Sequence, residues 1–227
     1  MQGMFFVITA LIILTVIIFG WYAANQRRKE LLAWAHSKGL QFTAEKYYGF
    51  DDRFPAFSCL QQGSNRYAHN VITGNLAERE FLGFDYHYTT GSGKNRQDHH
   101  FSAIILQSPI LLKPLFIRPE NFLDKITEFA GFNDIDFESA EFSRKFYVKS
   151  PDKRWAYDVI HPRMMEFLLA APVFTLQFDL IHLMAARSTT FSANDYESAV
   201  AVVEGMLERL PEYLVKQQRG NTTDRIR

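Results

Sequence analysis

The sequence predicts an α+β protein: an N-terminal transmembrane helix followed by a largely antiparallel β-sheet domain with packed helices. Three observations carry this prediction. Met4 to Ala24 is a run of 21 residues without a charge, long enough at about 1.5 Å per residue to cross a hydrocarbon core of roughly 30 Å. Residues 40–118 hold short runs that alternate with a period of two and are parted by turns, whereas parallel strands would need a helix between each pair. Residues 120–130, 151–170 and 192–210 carry apolar stripes at helical spacing.

The apolar run is broken only by Thr9, Thr15 and Gly20, and both threonines can bond their own helix carbonyls. Trp21 and Tyr22 fall where an aromatic belt sits, and Arg27, Arg28 and Lys29 follow at once, so these five residues mark the membrane interface. A signal peptide carries its positive charge before a shorter apolar region; here the side-chain cations come after it, which reads as a retained single-pass anchor. The same asymmetry places the short N-terminus outside and residues 25–227 in the cytoplasm. Asn25 to Lys38 continue as a juxtamembrane helix with Leu31, Trp34 and Ala35 on one face, and Gly39 stops it. The chain thus divides into a span over 4–24, a juxtamembrane helix over 25–39, an α+β domain over 40–215 and a flexible basic tail over 216–227.

Within the domain, Gln41 to Thr43 and Ala68 to Thr73 are short strands, and Gly74-Asn75 supplies turn chemistry before a strand over Arg79 to Thr89. That strand points Leu82, Phe84, Tyr86 and Tyr88 one way, as the core face, and Phe81, Gly83, Asp85 and His87 the other. A polar loop from Thr89 to Asp98 leads to His99 through Gln107, so the two strands form a long hairpin with a mobile tip. Leu115 to Ile117 is a strand stopped by Pro119; Glu120 to Ala130 is an amphipathic helix; Ile135 to Phe137 and Lys145 to Lys149 read as strands. Asp152 and His161-Pro162 open helices, Phe174 to Phe178 and Ile181 to Ala185 form a hairpin around Asp179, and Ser192 to Asp195 is a capping-box variant. The last helix aligns Tyr196, Val200, Val203, Met206, Leu207 and Leu210 until Pro211 ends it.

Composition excludes several roles. With 21 Phe and 10 Tyr the chain fills a core and is not disordered. Its 25 basic and 25 acidic side chains cancel, so nucleic acid is not among the partners expected. The single Cys59 makes no intramolecular disulfide, which suits a reducing compartment. Gly91-Ser92-Gly93-Lys94 lacks the spacing, the flanking helix and the following hydroxyl of a phosphate loop. Asp134, Asp136 and Glu138 lack the glycine and the closing glutamate of a calcium loop and read as a charged edge.

Two constellations remain as binding candidates. With the hairpin centred on Gly93 and Lys94, His87 faces His100 and Asp85 faces Ser102. Two imidazoles and a carboxylate on one face suit zinc, and an Asp, His and Ser suit nucleophilic catalysis, although polar residues on an outer sheet face also follow from solvation alone. His161 and Arg163 at a helix start suit an anion, although capping explains His161 without a ligand. Neither set assembles a catalytic centre or calls for a metal or cofactor.

The strings F-D-Y-x-Y at Phe84 to Tyr88, R-P-E at Arg118 to Glu120, D-I-D-F-E-S at Asp134 to Ser139, F-S-R-x-F at Phe142 to Phe146 and H-P-R-M-M at His161 to Met165 lie in this order. Over about residues 26 to 210 the chain resembles a family of uncharacterised bacterial membrane-anchored proteins. The resemblance implies a bacterial inner-membrane setting and transfers no activity or catalytic residue. The expected role is a single-pass anchored binding or scaffold module, with the lipid bilayer and a membrane or membrane-associated protein as partners. The alternative is an anchored hydrolase or metal-binding enzyme working through Asp85, His87 and His100.

Overall fold

The computed structural model describes residues 2–120 and 134–216, with side chains from Phe6 onward. Helix α1 (Gln2–Ser37) runs unbroken for 36 residues, about 54 Å. The span and the juxtamembrane helix are therefore one rod, and its apolar window, long enough to cross a membrane, has none of its residues buried against the domain. Thr15 bonds back to the Leu11 carbonyl at 2.8 Å, so its hydroxyl is satisfied within the helix. The rod ends at Gly39, whose φ of +69° lets Leu40 N–H reach the Ala35 carbonyl while Gly39 N–H reaches that of His36. Both bonds belong to the Schellman stop.

Eight strands form one antiparallel sheet: β1 (Gln41–Thr43), β2 (Ser64–Leu76), β3 (Arg79–Thr90), β4 (Gln97–Gln107), β5 (Leu115–Pro119), β6 (Phe146–Lys149), β7 (Thr175–Asp179) and β8 (His182–Arg187). Their order is β1-β2-β3-β4-β8-β7-β5-β6. The α+β reading holds, and so does the long hairpin, whose register pairs His87 with His100 and Asp85 with Ser102. The β2–β3 turn is displaced from Gly74-Asn75 to Ala77 and Glu78, which take φ of 46° and 64°. Gly74 instead stays in β2, where a Cβ would sit 2.7 Å from Leu40 Cδ2. It leaves room for the chain returning from α1.

The two faces of β3 differ from the sequence reading. Leu82, Phe84, Tyr86 and Tyr88 are buried as expected, covered by Phe50 on α2 (Phe50–Arg53) and by Phe54, Phe57 and Leu60 beyond it. The opposite face is no solvated surface. It carries the larger core, in which Phe81, Ile104, Leu183 and Ala185 pack under Leu31 and Trp34 of α1 and Tyr196 and Val203 of α6 (Ala193–Glu208). Asp85 and His87 therefore lie in the interior, 0% and 5% exposed.

The helix starts follow local chemistry. Ser192 Oγ accepts from Asp195 N–H and Asp195 Oδ2 accepts from Ser192 N–H, completing the capping box of α6. Asp152 caps α4 (Lys153–Val159) and Ser139 caps α3 (Ala140–Lys145). Both helix starts expected between 151 and 170 are present: α4 stops at Ile160, and α5 (Pro162–Ala170) begins at Pro162, where the ring removes an N–H that the first turn does not need. Ile135 to Phe137 make no strand; Asp134 forms a single bridge to Lys149, and Ile135 and Phe137 are buried. The expected helix over 120–130 and the tail beyond Lys216 lie outside the described residues.

Candidate functional site

A dense polar cluster joins the C-terminal half of α1 to the sheet. Arg27 sits one turn before Leu31 on the buried stripe of α1, so its side chain turns toward the domain instead of outward. Its Nη1 and Nη2 donate to the two carboxylate oxygens of Asp85 at 2.7 and 2.8 Å, and its Nε donates to the Phe191 carbonyl at 2.8 Å. Asp85 also accepts from Asn70 Nδ2 at 2.8 Å and from Ser102 Oγ at 2.5 Å, and Ser102 Oγ in turn accepts from Phe191 N–H. Asn70 reaches this face through a bulge in β2 between His69 and Ile72, where its φ is 49°. α1, β2, β3, β4 and the loop before α6 thus meet at one carboxylate.

Burial pushes the Asp85 carboxyl up, but the Arg27 fork and the donors Asn70 and Ser102 outweigh it and hold the group below its ordinary range. It stays ionised and saturated with donors. Ser102 is fully buried and gives its proton to Asp85, so the Asp and Ser found across the hairpin are joined in a structural contact with no exposed nucleophile, and neither His87 nor His100 bonds to them.

Arg27, expected among the membrane-interface cations, turns its side chain inward: it is 22% exposed and its donors bond within the domain. Arg28 and Lys29 are exposed, as are Trp21 and Tyr22 at 68% and 61%.

Beside this network lies a ring cluster on the same sheet face. His87 and His100 face each other with centroids 4.8 Å apart, Tyr67 stacks on His87 at 4.5 Å, and His69 lies 6.5 Å from His100. His87 Nδ1 bonds the Asn65 carbonyl at 3.0 Å, which places a proton on that nitrogen. His69 Nδ1 is 4.0 Å from Asp85 Oδ2. Burial lowers the His69 and His100 pKa values, and at His100 the neighbouring His87 adds to the effect. Among the described residues no group of three or more His, Cys, Asp or Glu side chains is arranged to hold a metal ion. Asp85, one of the three expected ligands, is already fully engaged.

His161 and Arg163 are also accounted for. His161 is the N-cap of α5: Nδ1 accepts from Met164 N–H at 3.4 Å while Nε2 bonds the Arg209 carbonyl at 2.9 Å. The helix start is capped from within, leaving less for an anion to satisfy. Arg163 is exposed and lines an open groove with Tyr157, Arg209 and Tyr213, where Asp158, Glu208 and Glu212 set acidic charge against the cations.

Sequence reasoning missed Asn70, His69, Tyr67 and the Phe191 carbonyl as members of these clusters. One signal was available: Arg27 occupies a position on the apolar stripe of its helix, and a cation there requires a partner.

The fold and this cluster define an α+β domain fastened to a helix that bears a candidate membrane span. No family model and no curated protein matches the chain. Among solved structures, the crystal structure of the mycobacterial trehalose monomycolate transport factor A, TtfA, is similar with a TM-score of 0.63, covering 82% of this chain and 96% of that one at 14% identity. At that identity the likeness is one of fold.

Proposed function

We propose that the chain is a single-pass membrane-anchored binding or scaffold module, its domain on the cytoplasmic side of a bacterial inner membrane, that engages a membrane or membrane-associated protein. The observation that carries this reading is the Arg27 fork on Asp85. A helix that served only to tether would need no ion pair buried in the domain, whereas this one fixes the angle at which the domain leaves the span. Trp34 Nε1 and Lys38 Nζ both bond Glu197 of α6 and fasten the same helix a second time. A stiff join holds the domain near the bilayer in a restricted orientation and raises its effective concentration toward partners there. The exposed cations Arg28 and Lys29 on the domain side support the topology with the domain inside. The likeness to a protein named as a transport factor supports an assisting role over a catalytic one.

The test is crosslinking in membranes with three forms: the native chain, one with residues 4–24 replaced by an unrelated span of equal length and orientation, and one with those residues deleted. Capture of the same protein partner by the first two and its loss in the third supports the reading. Capture that depends on the native span sequence, or that persists unchanged in the deletion, overturns it. External protease on spheroplasts checks the side: digestion of residues 25–227 would reverse the topology.

A further inference from the structure

The same fastening decides which end of the sheet faces the bilayer. Trp34 packs on Phe81 with centroids 6.1 Å apart, and Arg27 meets Asp85. From Trp34 to Arg27 the helix advances about 10 Å toward the span. From Phe81 to Asp85, β3 advances about 13 Å. Two contacts so spaced require the helix and the strand to run side by side in opposite chain directions, so that β3 beyond Asp85 climbs toward the membrane. Thr90 lies a further ~17 Å along the strand, with the loop before β4 still to come. Trp21, at the interface, lies only ~9 Å beyond Arg27 along the helix. Even if β3 inclines by about 50° to α1, its end reaches the level of Trp21, since ~17 Å along the strand then projects to about 11 Å along the helix.

The residues at that end fit a headgroup layer. Lys94 and Arg96 are exposed at the tip, with Arg96 also 3.3 Å from Asp98. Lys46 lies over the Tyr67 ring at 4.1 Å, and Tyr48, 68% exposed, packs beside Tyr67. Tyrosines and cations side by side are what the interface of an anionic leaflet selects. The turn at the other end of the β2–β3 hairpin carries Glu78, Arg79 and Glu80, with Arg53 paired to Glu80 at 2.9 Å, so it offers no excess of cations.

We infer that the Ser92–Arg96 tip of the long hairpin, with Lys94 and Arg96, docks on the anionic lipid headgroups around the chain's own span. The inference rests on the reading of α1 as a membrane span. It makes the domain a two-point attachment, one helix through the bilayer and one hairpin on it, and this adds a surface contact to the rigid join.

The experiment uses the full chain in vesicles of phosphatidylcholine with or without phosphatidylglycerol. A nitrobenzoxadiazole label is placed on single introduced cysteines, and a headgroup spin label on the lipid serves as quencher. Native Cys59 is buried at 1% exposure and does not compete. Ile12→Cys reports the span, Ser92→Cys the hairpin tip and Glu78→Cys the far turn. The expected result is strong quenching at Ser92→Cys in anionic vesicles, at least twice that at Glu78→Cys. Adding Lys94→Glu and Arg96→Glu should weaken the contact by about fivefold for each cation removed. A Ser92 label no more quenched than the Glu78 label, while the Ile12 label is shielded from water by the bilayer, overturns the docking and leaves the span intact. Equal quenching at Ser92 with and without phosphatidylglycerol overturns the anionic-lipid recognition. A water-exposed Ile12 label overturns the span reading and this inference with it.

Discussion

Removing Arg27 tests whether the ion pair at the join carries the stability assigned to it. In Arg27→Ala the Asp85 carboxylate stays charged in a site where its side chain is 1% exposed, and it keeps only the donors Asn70 and Ser102 of the four bonds that it accepts. Stranding one member of a buried pair costs about 3–5 kcal/mol, and two surviving donors place this case near the lower end. At about 2–4 °C per kcal/mol for a domain of this size, the melting temperature should fall by roughly 6–12 °C. Asp85→Asn should cost less, about 1.5–3 kcal/mol, because the Arg27 guanidinium has an exposed edge through which it can turn to water. The double variant should then cost less than the sum of the two by about 1.5–3 kcal/mol. The assay is thermal unfolding of the full chain in nanodiscs, followed by tryptophan fluorescence through the buried Trp34 and Trp155. A shift below about 2 °C in Arg27→Ala, or strict additivity in the cycle, would show that the pair is a surface contact of the usual small worth.

Stability should fall as the pH drops through and below 6.5, because His69 and His100 have folded pKa values below that ordinary value and the unfolded chain takes up their protons first. Their contribution is complete above 6.5 and is lost as pH falls through the folded values; in His69→Gln, His100→Gln the melting temperature should flatten across this window. Gly83→Ala should destabilise by about 1–3 kcal/mol, since the new Cβ would sit 2.7 Å from Tyr196 Cε1 in a stack held by Trp34, and an unchanged melting temperature would refute that packing. Burial pushes the Cys59 thiol up to about 12, so it should ignore disulfide reagents until the chain unfolds; rapid modification of the native state would contradict its placement. The purified chain should hold no stoichiometric zinc, and tightly bound metal that disappears in His87→Ala, His100→Ala would restore the hydrolase alternative.

Much of this was legible in the sequence because it is local. The period-two runs, the Ser192 to Asp195 box and the stop at Gly39 follow from residues a few positions apart, and the facing of His87 and His100 from one hairpin. What failed depended on distance. Asp85 looked solvated because its strongest partner, Arg27, comes from α1, more than fifty residues earlier, and His87 because Tyr67 of β2 stacks over it from twenty residues before. The stretch from Phe50 to Leu60 carries no clean period, yet it covers one face of β2, β3, β4 and β8 with three phenylalanines. The turn at Ala77 and Glu78 escaped because two non-glycine residues take positive φ there beside a more obvious Gly-Asn pair. Of the candidate site, the hairpin register was readable and the meaning of its carboxylate was not.

That meaning bears on the choice between enzyme and module. A catalytic carboxylate needs a vacant lone pair or a proton to exchange, and it needs access to a substrate. Asp85 has neither: four donors occupy it, it is fully buried, and its strongest donor belongs to the membrane helix. The chemistry that suggested a nucleophilic site is spent on geometry. Desolvating a charged pair is a poor route to stability, since an apolar pair of similar volume often serves as well. Its advantage is direction: a guanidinium fork on a carboxylate accepts one orientation of helix against strand, which an apolar contact would leave free to slide. A domain held at one angle to the bilayer presents the same surface to every neighbour in the membrane. On the proposed reading, the ion pair sets which neighbours the domain can meet.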